Sequence, residues 1–217
     1  MNANGMITEA TVFVIDDDAA VRKGLAKLLR SAGYSTRLFA SSREYLEYSR
    51  DEPGCIILDL CMPETGGLEL QATLAAKGCH PPVIFLSGCG DVPSTATALK
   101  RGAVDFLEKP VDAEILLAAV NEALNRDREN RQQHSQLAEV KTRLANLTAR
   151  EFEILRYVIA GSLNKQIAWS LDISEKTVKT HRGRVMDKME VQSVAELVRL
   201  ADKAGVRPVD LPAAKVQ

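Results

Sequence analysis

The sequence predicts an α/β domain with a five-stranded parallel sheet, followed by a helical linker and an all-α domain built on a helix-turn-helix. Three observations carry this reading. Across the first 124 residues, short apolar runs alternate with helix-length amphipathic segments. Two of those runs release carboxylates at their C-terminal ends, Thr11-Val12-Phe13-Val14-Ile15-Asp16-Asp17-Asp18 and Cys55-Ile56-Ile57-Leu58-Asp59. Beyond residue 147 the apolar spacing is helical throughout, and a chain of 217 residues is better divided into two cores than one.

The elements follow in order. After the first strand, residues 19–32 place Val21, Leu25, Leu28 and Leu29 on one helical face, and Gly33 closes the helix as a left-handed cap. Further strands are predicted at 34–39, 55–58, 83–86 and 104–107, with helices at 42–49, 67–76, 93–101 and 113–124. Continuous apolar strands alternating with helices mean a parallel sheet covered on both faces. In such a sheet ligands bind beyond the carboxyl ends of the strands, so Asp16, Asp17 and Asp59 converge. Two like charges about 4 Å apart repel by roughly 4 kcal/mol at an effective dielectric of about 20, so the cluster requires a cation or shared protons. All-oxygen ligation with open positions suits Mg²⁺. The fourth strand ends in the hydroxyl of Ser87 and the fifth leads to Glu108-Lys109-Pro110, which adds an ammonium. Acids, hydroxyl and lysine at four strand ends describe a phosphoryl site.

With Asp59-Leu60-Cys61-Met62-Pro63 and Glu108-Lys109-Pro110 in place, residues 11–124 resemble the receiver domain of two-component response regulators. The resemblance implies a flavodoxin-like fold and a cis bond before Pro110. It makes Asp59 the nucleophile that takes a phosphoryl group from a sensor histidine kinase. Mg²⁺ would be held by Asp17, Asp59 and the backbone carbonyl of Cys61, with Asp16 acting through water, and Lys109 would neutralise phosphoryl charge. Ser87 and Phe106 would form the switch. Val92, Ala96, Leu99, Lys100 and Phe106 would form the face that dimerises on phosphorylation.

The net charge of −1 hides an asymmetry: residues 1–124 carry 17 acids and 11 bases, residues 125–146 carry 3 and 5, and residues 147–217 carry 9 and 12. Nucleic acid is therefore expected to meet the C-terminal part. No leader peptide or membrane-length apolar run is present in the sequence, and the expectation is a cytoplasmic protein with no membrane partner. Cys55, Cys61, Cys79 and Cys89 lack metal-ligand spacing and are expected as free thiols; Cys61 and Cys89 flank the phosphoryl site, which leaves redox modulation as an alternative.

Residues 125–134 have no apolar face, and Leu137, Val140, Leu144 and Leu147 then restore three-four spacing. This reads as the last receiver helix running on into an exposed linker to residue 146, with a flexible tether as the alternative and His134 merely solvated. Thr148-Ala149-Arg150-Glu151 is a capping box, and Phe152, Leu155, Val158 and Ile159 make the first face. Gly161 stops that helix. Asn164 is expected to cap a short helix carrying Ile167, Ala168 and Leu171, with Trp169 as a core or interhelical plug. Asp172-Ile173-Ser174 turns the chain, and Ser174 caps a helix over 175–189. This is the helix-turn-helix plan, whose second helix enters the major groove.

Residues 148–189 resemble the LuxR-type DNA-binding domain, on Asn164-Lys165-Gln166-Ile167-Ala168 and Thr177-Val178-Lys179-Thr180-His181 besides the capping box. The DNA-contact set is Lys165, Thr177, Lys179, Thr180, His181, Arg182, Gly183, Arg184 and Lys188, with Lys179 and Thr180 placed by the resemblance at base edges. Gly183 departs from members with a long side chain there. The resemblance also has a last helix, 193–204, pairing two copies on an inverted repeat. The predicted organisation is a receiver at 1–124, a linker at 125–146, a DNA-binding domain at 147–210 and a loose tail at 211–217.

Joined, the halves resemble the FixJ subgroup of response regulators. That implies a phosphorylation-dependent regulator of promoter DNA, an activator by subgroup and not an enzyme, with RNA polymerase as a further partner. Two rivals stand beside it. A Mg²⁺-dependent aspartyl phosphatase would need a second acid two residues after Asp59, where the chain has Cys61. A receiver signalling by protein contact alone would lack salt-dependent binding to duplex DNA.

Overall fold

The computed structural model describes residues 10–48, 51–63, 65–78, 80–88 and 92–210. The chain divides into two compact units, Met1–Arg131 and Gln132–Gln217.

In the first unit, β1 (Thr11–Ile15), β2 (Ser35–Phe39), β3 (Gly54–Leu58), β4 (Val83–Ser87) and β5 (Asp105–Glu108) alternate with α1 (Ala19–Ser31), α2 (Ser42–Tyr48), α3 (Gly67–Ala76) and α4 (Val92–Lys100). The sheet is parallel in the order β2-β1-β3-β4-β5. Its pleat sends alternate residues to opposite faces. Val12, Val14, Ile57 and Leu86 pack with Leu25, Leu29, Leu116 and Val120 on one side, and Phe13, Ile15, Ile56 and Phe85 pack with Tyr45, Leu70, Leu74 and Ala98 on the other. β3 and β4 are buried along their whole length, as their unbroken apolar runs require. The edge strand β2 is only half covered. Ile15 and Leu58 are partners in register, so β1 and β3 end level. The Asp59 N–H donates to the Ile15 carbonyl at 2.9 Å, which sets Asp59 beside the end of β1.

α5 (Ala113–Ala145) is one unbroken helix of 33 residues, so the linker is helical and not a tether. Leu116, Ala119, Val120, Ala123 and Leu124 bury its first turns. Asp127 then pins it: this buried carboxylate accepts from the Gly54 N–H at 2.9 Å and from the Arg131 guanidinium at 3.0 Å. Arg131 also donates to the Glu52 carbonyl at 2.7 Å. These contacts carry the first unit past residue 124 to Arg131.

The second unit contains the end of α5, α6 (Ala149–Ile159), α7 (Asn164–Leu171), α8 (Glu175–Met189) and α9 (Val194–Lys203). Val140, Ile154, Leu155, Val158, Ile167, Val178, Val185, Met189, Leu197 and Ala201 form its core. Three details depart from expectation. Asn164 is the first residue of α7 and Leu163 precedes it as the cap, with the Gln166 side chain accepting from the Leu163 N–H at 2.8 Å. Phe152 is 38 % exposed, because the buried face of α6 runs through Glu151, Ile154, Leu155 and Val158. Trp169 is 87 % exposed and plugs nothing: α7 buries Ile167 and Ala168, and residue 169 lies about 200° round the helix from Ile167. The tail from residue 211 lies outside the described residues.

Candidate functional site

The acidic cluster is built from strand ends. Asp16 and Asp59 are buried, at 2 % and 5 % exposure, and Lys109 reaches across to both, with Nζ 2.6 Å from Asp16 Oδ2 and 3.0 Å from Asp59 Oδ1. Lys109 is placed by its own N–H, which donates to the Ser87 carbonyl at 3.0 Å, and the Lys109-Pro110 bond that follows is cis. Burial alone would lower the pKa of the ammonium, but its hydrogen bonds to Asp16 and Asp59 outweigh that and raise it. The remaining oxygens are oriented by the backbone: Asp18 N–H donates to Asp16 Oδ1 at 2.8 Å, and Cys61 N–H donates to Asp59 Oδ2 at 3.2 Å.

Of the three consecutive acids, Asp16 is the one that contacts Lys109. Asp17 is exposed next to the buried Asp16. Asp18 is the N-cap of α1, accepting from the Ala20 N–H at 2.7 Å. Among the described residues no group of three metal-ligating side chains is already assembled. The donor chemistry nonetheless suits Mg²⁺: the buried carboxylates of Asp16 and Asp59 share a single ammonium, which leaves negative charge on hard oxygen atoms.

Ser87 is fully buried at the end of β4, and its hydroxyl lies 4.0 Å from the Cys61 sulfur. The Phe106 ring stacks on Phe85 with centroids 6.0 Å apart and is partly exposed. Along α4, Val92 and Leu99 are exposed at 83 % and 46 %; Lys100 is exposed too, and Ala96 partly so. The expectation of free thiols holds for Cys55, which is buried and whose thiol pKa is pushed far up by that burial. It fails for Cys61, which is disulfide-bonded. Cys79 and Cys89 lie outside the described residues.

Gly67 is a site residue that the sequence reading missed. It opens α3, and a Cβ there would stand 2.5 Å from the Asp59 carbonyl oxygen. Gly66-Gly67 so soon after an acid-ended strand is a signal that could have found it.

In the second unit, α8 presents Lys176, Thr177, Lys179, Thr180, Gly183 and Arg184 to solvent while burying Val178, Val185 and Met189. Lys165 is exposed on α7. Arg182 is partly buried and donates to Asn164 Oδ1 at 2.6 Å, which ties α8 to the start of α7. His181 is partly buried and its Nδ1 has no hydrogen-bond partner among the described residues, so this side of the ring packs. Lys188 points away from the exposed stripe: Nζ lies 2.6 Å from Glu151 Oε2 and 3.1 Å from the Asn146 carbonyl. Its hydrogen bond to Glu151, together with the Thr148 backbone N–H, lowers the Glu151 carboxyl from 4.5 to about 2.

Comparison with known proteins agrees with this geometry. Residues 12–121 match the response regulator receiver domain, and residues 145–201 match the luxR family of bacterial regulatory proteins. Transcriptional regulatory protein FixJ of Azorhizobium caulinodans is 45 % identical over 200 residues, 92 % of this chain and 95 % of FixJ. Response regulator protein TmoT of Ectopseudomonas mendocina is 42 % identical over 90 % of this chain and 89 % of its own length. Among solved structures, the response regulator StyR superposes with a TM-score of 0.82 at 42 % identity, covering 90 % of this chain and all of StyR. Full-length FixJ from B. japonicum gives a TM-score of 0.55 at 39 % identity over 91 % of this chain and 98 % of its own. With both modules matched in order and relatives aligned nearly end to end, the chain belongs to the two-component response regulators that join a receiver to a LuxR-type DNA-binding domain, the group of transcriptional regulators that includes FixJ.

Proposed function

We propose that Asp59 accepts a phosphoryl group from a phosphohistidine of a sensor kinase, and that its modification makes the chain dimerise and bind promoter DNA. The observation that carries the reading is the bridge of Lys109 between two buried carboxylates at adjacent strand ends. An Asp59 oxygen attacks phosphorus as the P–N bond of the donor breaks and the imidazole leaves. Lys109 already stands where charge gathers on the phosphoryl oxygens, so its ammonium needs no reorganisation to stabilise them. Asp17, Asp59 and the Cys61 carbonyl would hold Mg²⁺, with Asp16 acting through water; the ion supplies charge neutralisation between carboxylates and phosphoryl oxygens.

A new phosphate draws the Ser87 hydroxyl towards it, and Phe106 turns into the space released. The change alters the face carrying Val92, Ala96, Leu99, Lys100 and Phe106, which pairs with a second copy. In this reading Lys179 and Thr180 contact base edges. Lys165, Thr177, Arg182 and Arg184 serve the phosphate backbone, and Gly183 allows close approach to the groove wall. The chain acts in the cytoplasm as an activator that engages RNA polymerase. Incubation with acetyl phosphate and Mg²⁺ tests the acceptor: the wild-type chain labels and Asp59→Asn does not. Full labelling of Asp59→Asn overturns the assignment.

A further inference from the structure

We propose that Asp127 and Arg131 are positioning residues for phosphorylation-dependent DNA binding: they clasp the linker helix to the receiver and so set how much of it is free. The inference rests on the reading of Asp59 as acceptor and of the phosphorylated chain as a dimer.

The clasp joins side chains to backbone. Buried Asp127 Oδ2 accepts from the Gly54 N–H at 2.9 Å, and Arg131 Nε lies 3.1 and 3.0 Å from the two Asp127 oxygens. The other guanidinium nitrogens reach Asp51 Oδ1 at 2.8 Å and the Glu52 carbonyl at 2.7 Å. Their anchor is tightly packed: a Cβ at Gly54 would stand 2.0 Å from the Thr11 carbonyl oxygen, and the Thr11 N–H donates to the Pro53 carbonyl at 2.8 Å. Gly54 opens β3, the strand that Asp59 follows, so the helix is tied to the acceptor's own strand.

No apolar contact does the same work. Among residues 125–131 no side chain is apolar, only Asp127 is buried and only Arg131 is partly so. Leu124 is the last buried apolar residue before this stretch, and Val140, in the second core, is the next. A pair of charges taken out of water adds little net stability compared with an apolar pair in the same place, but it fixes geometry. With the clasp closed, the exposed joint is 132–136; with it open, the joint runs from 125 to 136, twelve residues in place of five.

That length has a consequence on DNA. Once receivers pair, each DNA-binding unit is held near the other through two such joints. For a flexible tether the effective concentration falls roughly as the −3/2 power of length, so going from five residues to twelve lowers it about fourfold. The unphosphorylated chain, whose receivers do not pair, has no such gain to lose.

The test uses full chains. Duplexes carrying paired half-sites are enriched from a random library by the phosphorylated wild-type chain, then titrated in gel shifts with wild type, Asp127→Asn and Arg131→Gln, each with and without acetyl phosphate and Mg²⁺. Both variants should label at the wild-type rate and bind as wild type does when unphosphorylated. When phosphorylated they should bind about fourfold more weakly. Deuterium uptake at the amides of 125–131 should change from slow to fast. A further chain keeps the clasp and carries seven Gly and Ser residues inserted after Gln133; it should show the same loss, however well the clasp variants fold. Full phosphorylated affinity in the insertion chain overturns the inference. So does full affinity in a variant whose 125–131 amides exchange fast, slow exchange there in both clasp variants, or a loss shared by the unphosphorylated chains. Failure of the underlying reading looks different: wild type then gains no DNA affinity on phosphorylation, or Asp59→Asn still labels.

Discussion

A methyl group at position 67 would press on the Asp59 carbonyl oxygen and stand 2.9 Å from the Phe85 ring. Neither neighbour can yield cheaply, since one is strand-end backbone and the other fills the core. Gly67→Ala should therefore shift Asp59 away from Lys109, cutting the rate of labelling by acetyl phosphate at least about tenfold and costing about 1 to 3 kcal/mol of stability in urea titration. Glu151 gives a second prediction at this scale. Its folded carboxyl sits at about 2 against an ordinary 4.5, so the stabilisation it provides is complete above pH 4.5 and is lost as pH falls from there towards about 2. Allowing for the part-exposed Lys188 ammonium, this amounts to on the order of 2 kcal/mol. Thermal unfolding of wild type should drop over that pH window more steeply than that of Glu151→Gln.

At the scale of elements, α8 divides its cations by what they already hold. Lys179 is exposed and is read at a base edge, whereas Arg182 is anchored on Asn164 at 2.6 Å and serves position. Lys179→Ala should narrow the gap between operator and random duplex by roughly 1 to 3 kcal/mol. Arg182→Ala should weaken both alike and reduce the salt slope; gel-shift titrations at several salt concentrations separate the two, and identical behaviour would mean the faces are wrongly assigned. The strands and the acidic cluster at their ends were legible because apolar runs ending in Asp16, Asp59 and Ser87 report burial and strand polarity together. Other elements were not. Asp127 looked solvated within a polar run, since its partner Gly54, like the Glu52 carbonyl that Arg131 reaches, is more than seventy positions away, and only the i, i+4 spacing to Arg131 hinted at a role. Lys188 matched a cationic stripe by type, but its helical phase turns it to Glu151. Trp169 was judged by its chemistry as core, while the short α7 offers only one buried face.

At the scale of the whole molecule, the two units hold one helix by its ends. Residues 113–131 are secured by the apolar turns and by Asp127, and the stretch from Val140 is secured in the second core. Between them, residues 132–136 are exposed on every side, with Leu137 only partly covered. A run that short has no helical stability of its own, since nucleating a helix costs more than a few hydrogen bonds return. Its backbone amides are thus predicted to be the helix's window of fast deuterium uptake, flanked by slow exchange around Val120 and around Val140. Uniform protection along the helix would contradict that. Whichever unit loosens first, fraying enters from its side and stops at the other, so residues 132–136 of α5 are a local fuse whose opening reports on both folds at once.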